Sequence, residues 1–175
     1  MKKQMISTTV ISFVILLLSG GVYYYTHIRI LFTVMVTFLT IFYHLGMRLV
    51  VGYSIDAKYH NHMDYTKKWF QEKSFEATLY KKLQVKKWKK FFPSFNPGDF
   101  QLENSSIEEI IQVTCQAEVV HEIIIVFSFV PILFTIWFGS LEVFIITSCL
   151  SALFDSIFVI MQRFNRPRLM RLVKK

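Results

Sequence analysis

Within an otherwise apolar stretch of the chain, Glu118 and His121 stand three positions apart, the spacing that puts two side chains on one face of a helix. A histidine beside a carboxylate can do acid–base work. The imidazole takes a proton from a hydroxyl while the carboxylate fixes its tautomer and stabilises the imidazolium. On that reading His121 is the general base and Glu118 its orienter, with Glu122 alongside. A second group gathers at the end of the chain. There MQRFNRPRLMRLVKK follows an apolar run and sets Arg163, Arg166 and Arg168 close together, among Gln162 and Asn165. Guanidinium forks bind oxyanions bidentately, so these residues suit a phosphate, a carboxylate or a thioester carrier. His44 and Arg48, four positions apart, and Asp155 complete the set as supporting residues.

Each group also has a structural reading. Glu118 with His121 equally describes a hydrogen-bonded brace between helices, and Arg48 can extend its charge to a membrane surface. Asp155 fits a partner for Arg48 as well as a site residue. The terminal arginines also fit a stop signal, although such a signal does not require Gln162, Asn165 and Pro167 at set positions.

The elements that must position these residues are membrane helices. Of the 175 residues 53% are hydrophobic and 17% aromatic, values far from those of a soluble domain of this size. A bilayer core asks for about 20 mostly apolar residues per helix, and the stretches 7–26, 30–53, 117–138 and 140–162 qualify. The fold class expected is therefore all-α and integral to a membrane, a single domain over residues 1–175. Lys2 and Lys3 before ISFVILLL resemble a signal peptide, but no small-residue cleavage pattern follows, so the first span is read as retained. THIR and FGSLE are too short for anything but tight turns, so the four helices form two antiparallel hairpins.

Net charge is +8, and its distribution speaks of topology rather than of nucleic acid. The connection 54–116 carries ten lysines and the tail four arginines and two lysines, whereas the turns carry Arg29 alone among basic residues. By the positive-inside rule both termini and the connection are cytoplasmic. Cys115 and Cys149 show no CxxC spacing, which argues against a zinc site, and no metal is expected.

Residues 65–90 set Trp69, Glu76, Leu79, Tyr80, Leu83 and Trp88 among lysines at near-helical spacing. That pattern predicts a basic amphipathic helix on the inner leaflet, with anionic lipid as its partner. Pro93, Pro97 and Gly98 should end it. SSIEE then offers a capping box, Ser105 with Glu108 or Ser106 with Glu109, to start a helix that runs on into the third span. Pro131 should kink that span. At a rise of ~1.5 Å per residue, His44, Arg48, Glu118, His121, Gln162 and Arg163 all fall in the inner-leaflet layer. Ionisable groups there cost roughly 2.5 to 3.5 kcal/mol each and point to a functional interior.

The blocks VKKWKK at 85–90, AEVVHE at 117–122 and QRFNRPRL at 162–169, in this order, resemble the glycosyl-4,4'-diaponeurosporenoate acyltransferases, membrane enzymes of a carotenoid pathway. The resemblance runs from about residue 42 to the C-terminus. It implies transfer of a fatty acyl group onto a hydroxyl of a glycosylated lipid in a bacterial-type cell membrane. Glu118 and His121 then match a Glu-x-x-His element, and Trp88, Lys89, Arg163, Asn165, Arg166 and Arg168 match basic blocks that bind substrate. No cofactor is implied beyond an acyl thioester as co-substrate. Two other functions fit the residues. One is a non-catalytic module docking on anionic lipid or a partner enzyme through its lysines. The other is an electron-transfer protein with His44 and His121 as axial haem ligands.

Overall fold

Among the described residues four helices are long and apolar enough to cross a membrane, as the hydropathy pattern demands. The computed structural model describes residues 2–92 and 105–173. Helix α1 spans Lys2–Thr26 and α2 spans Arg29–Tyr59. Two short helices follow, α3 (Glu76–Lys82) and α4 (Val85–Trp88), flanked by single 3₁₀ turns at Lys68–Phe70 and Lys89–Phe91. Then come α5 (Ile107–Phe127), a 3₁₀ turn at Val130–Phe134, α6 (Thr135–Phe138) and α7 (Leu141–Val173). No strand occurs among the described residues.

The chain divides into two units, to both of which α2, α5 and α7 contribute residues. The first comprises residues 1–52 and 124–153. Its helices reconcile polar side chains with an apolar setting by turning hydroxyls back onto their own carbonyls. Thr9 donates to the Met5 carbonyl at 2.8 Å, Ser12 to Thr8 at 2.7 Å and Ser19 to Ile15 at 2.7 Å, so none needs water. The first hairpin is as tight as expected. His27 takes the left-handed conformation that ends α1 (φ 52°), its amide bonding the Tyr23 carbonyl at 2.8 Å. The helices run back antiparallel, with Phe13 against Phe42 and Tyr23 against Phe32. Gly139 and Ser140, at φ 65° and 57°, make the second turn.

Pro131 does more than kink its span. With no amide hydrogen, proline cannot continue the helical ladder, and α5 stops at Phe127 before a 3₁₀ turn resumes the course. The carbonyl that Pro131 leaves without a donor is that of Phe127. The Tyr43 hydroxyl of α2 supplies the missing bond at 2.9 Å.

The second unit comprises residues 53–123 and 154–175. Ser106 and Glu109 form the reciprocal capping box at the start of α5, the Ser106 amide to Glu109 Oε2 at 2.7 Å and the Glu109 amide to Ser106 Oγ at 3.2 Å. The connection before it departs from the expected continuous amphipathic helix. Met63, Phe70 and Cys115 form a buried cluster, and Tyr80 and Val85 are also buried. Phe70, Tyr80 and Val85 are carried by short separate elements, a 3₁₀ turn and two short helices, rather than by one continuous helix. The connection breaks at Gln84, which sits in the left-handed region at φ 52°. Trp88 Nε1 then bonds the Leu83 carbonyl across the break at 2.9 Å. The expected helix stop at Pro93, Pro97 and Gly98 lies outside the described residues.

Candidate functional site

The second unit holds two charged constellations, both built on α5 and α7. In the first, Arg163 and Arg166 share the carboxylate of Glu118, which is fully buried. Arg163 Nη1 donates to Glu118 Oε1 at 2.5 Å, and Arg166 Nη2 lies 2.5 Å from Glu118 Oε2. Three positions apart on α7, the two guanidinium groups approach Glu118 from one helical face.

Further donors of both arginines are taken up by the folded connection and by Thr114 of α5. Arg163 Nε donates to Glu76 Oε1 at 2.7 Å, and its amino groups reach the carbonyls of Trp69 at 3.0 Å and Gln71 at 3.2 Å. Arg166 bonds Thr114 Oγ1 at 3.0 Å, the Thr114 carbonyl at 2.9 Å and the Phe70 carbonyl at 3.3 Å. Its guanidinium also lies 5.0 Å from the centre of the Phe70 ring. Two cations thus face two buried carboxylates, and the group is neutral. Burial beside Glu76 raises the Tyr80 hydroxyl above the usual tyrosine range.

This arrangement corrects two expectations. Glu118 does not orient His121, because both its oxygens are held by arginines. Arg163 and Arg166 do not form an open anion clamp, because the protein's own carboxylates fill their forks. The sequence pattern puts Glu76 on a surface helix and gives Thr114 no role. The visible signal for Glu76 is a glutamate among lysine-rich stretches, four positions after Glu72, whereas Thr114 gives only its position one turn before Glu118.

In the second constellation the carboxylate beside His121 is Asp155. Their Nδ1 to Oδ1 distance is 2.9 Å, with Asp155 1% exposed and the His121 side chain 22% exposed. A carboxylate can only accept, so the bond assigns the Nδ1 proton to the histidine and leaves Nε2 as the basic nitrogen. Phe158, one turn beyond Asp155 on α7, stacks on the imidazole at 4.7 Å between ring centres and 11° between planes. Ring orientation is therefore fixed by a hydrogen bond and a stack. Among the described residues nothing bonds Nε2. Glu122 accepts from Trp69 Nε1 at 3.1 Å and takes no part in the pair.

The other expected residues occupy distinct places. Lys89 donates to Asn165 Oδ1 at 2.6 Å, its ammonium 4.9 Å from the centre of the Phe164 ring. Burial, then the nearby charges of Arg168 and Lys86, hold its pKa below the usual lysine range. Arg168 is exposed and stacks on Phe164 with its guanidinium carbon 3.9 Å from the ring centre. Trp88 and Gln162 are half-buried. His44 and Arg48 belong to the first unit, where His44 is buried and Arg48 bonds the His44 carbonyl at 2.9 Å and Ser151 Oγ at 2.8 Å.

With the geometry in hand, comparison with known proteins adds one match. The family model for glycosyl-4,4'-diaponeurosporenoate acyltransferase matches residues 66–175, nearly two thirds of the chain. That range contains both constellations of the second unit and all three sequence blocks on which the resemblance rested. No curated protein and no solved structure matches the chain.

Proposed function

Because the chain belongs to the glycosyl-4,4'-diaponeurosporenoate acyltransferase family, we propose that it moves a fatty acyl group from a thioester donor to a hydroxyl of a glycosylated lipid, a carotenoid glycoside in the family's own terms. The observation that carries this reading is the His121–Asp155 pair, a histidine with one nitrogen fixed by a buried carboxylate and the other unoccupied. His121 Nε2 takes the proton of the acceptor hydroxyl as its oxygen attacks the thioester carbonyl. The resulting imidazolium is stabilised by Asp155. When the tetrahedral intermediate collapses, the carbon–sulfur bond breaks and the proton passes from Nε2 to the departing thiolate. Acyl ester and free thiol are the products, and no redox partner or metal is required.

The reaction is set at the cytoplasmic leaflet, with both termini on that side. The ten lysines of residues 54–116 support this orientation. Exposed Trp69, Phe75 and Phe91 beside lysines support contact of the connection with anionic headgroups, since such side chains insert at an interface while ammonium groups stay at the phosphates.

Lipid mass spectrometry of membranes with and without the protein tests the reading. A lipid heavier by one acyl chain should appear with the protein and vanish in His121→Ala, while the variant still inserts in the membrane. Undiminished product in His121→Ala would remove the assignment.

A further inference from the structure

With Arg163 and Arg166 committed to carboxylates, the donor's phosphates need another seat, and the second unit contains one. A cleft of about 480 Å³ opens between α3, α4 and the end of α7, within the ~300–1,000 Å³ typical of small-molecule sites. Lys81, Lys86, Lys87 and Arg168 line it. Among the described residues no carboxylate pairs with any of these four. The one acidic residue in its lining, Glu72, lies 3.8 Å from Arg171 at the exposed edge. Tyr80, itself buried, and Phe164 also line it and pack edge to face at 5.7 Å between ring centres. Because Arg168 rests over the Phe164 ring, its guanidinium carbon 3.9 Å from the ring centre, the side chain is held before any ligand arrives, which lowers the ordering cost of binding.

We propose that this cleft binds a nucleotide-type acyl thioester of the coenzyme A class, its diphosphate and ribose phosphate against the four cations. Unpaired cations from α3, α4 and α7 match several phosphates better than the single phosphate of a lipid headgroup. The identity of the ligand rests on the acyl-transfer reading, and the anion chemistry rests on the cleft alone.

The test is equilibrium binding of coenzyme A, the free thiol, to the purified full-length chain in detergent. Coenzyme A should bind, and Lys86→Gln with Lys87→Gln, or Arg168→Gln, should weaken it about ten-fold or more, since each removes charge-assisted bonds to phosphate. Lys67→Gln with Lys68→Gln, outside the cleft, should leave it unchanged. Absence of binding, or equal binding by the cleft variants, overturns the proposal. So does a loss of affinity for phosphatidylglycerol vesicles in those variants with coenzyme A binding intact, which would make the cleft a headgroup site. Binding that is lost in the cleft variants while the wild type makes no acyl product would uphold the cleft and sink the acyl-transfer reading. Acyl transfer without coenzyme A binding would do the reverse.

Discussion

Two basic groups on α7 and α5 meet buried carboxylates in the second unit, and they end in opposite conditions. At Arg163 and Arg166 the donors are engaged by Glu76, Glu118, Thr114 and backbone carbonyls. At His121 one nitrogen is engaged by Asp155 and the other is left over. Residue types alone do not separate a brace from a reactive group, since both constellations combine a cation-forming side chain with an acid. What separates them is the bonding capacity that remains after folding. Breaking a closed group removes structure, whereas the open one has capacity left for a substrate.

The largest expected effect is therefore on turnover. Asp155→Asn should lower acyl transfer roughly 100- to 10,000-fold by disturbing the tautomer and the imidazolium, read as product formed per unit of inserted protein. Glu118→Gln, under the same assay, should show its damage first as reduced yield of folded protein. If Glu118→Gln instead folded normally and lost activity, the two constellations would have to exchange roles.

Next in size is the cost of opening the closed group. Arg166→Met leaves the Glu118 charge buried with one partner fewer and should destabilise the protein by about 3–5 kcal/mol, measured as a fall in the thermal unfolding midpoint in detergent. Arg166→Lys should recover little of this, because an ammonium cannot span Thr114, the Phe70 carbonyl and Glu118 together. Smaller again is Phe158→Leu, which removes the stacked ring but keeps the bond to Asp155. Its cost should be about 0.5–1.5 kcal/mol, with a wider spread of imidazole orientation and a modest loss of turnover.

The smallest effect concerns Lys89, a cation in neither constellation. Its pKa is depressed in the folded state, chiefly by burial, so the unfolded chain holds that proton more tightly. Folding stability contributed by this group is then present above the ordinary lysine pKa and is lost as pH falls through the depressed value. Stability of the wild type relative to Lys89→Met should rise across that alkaline window. A flat difference would show that the site is solvated.

How much of this was legible from sequence follows the range of the forces involved. The four spans, the two tight hairpins and the presence of a capping box at Ser105 or Ser106 depend on neighbours within a few positions and are legible directly, and the structure selects Ser106 with Glu109. Glu118 was misassigned because a spacing of three shows which partner is within reach and not which competitor wins. Arg163, 45 positions away, and Arg166 outbid His121 with full charge and multiple donors. Asp155 stands out as an acid in an apolar span, but its partner lies 34 positions distant and no local pattern joins them. The connection was misread as one helix because its apolar spacing is nearly helical, while burial of Phe70, Tyr80 and Val85 against the rest of the unit decides its path.

The bond from Tyr43 to the Phe127 carbonyl has a consequence for how such chains are cut and recombined. The family match begins at residue 66, yet the hydroxyl that mends the proline break in α5 comes from Tyr43, before that boundary. A fragment limited to the matched range would carry the break without its mend. Likewise, a chimera that borrows its first hairpin from elsewhere must bring a hydrogen-bond donor at this one position, whatever else in that hairpin is free to vary.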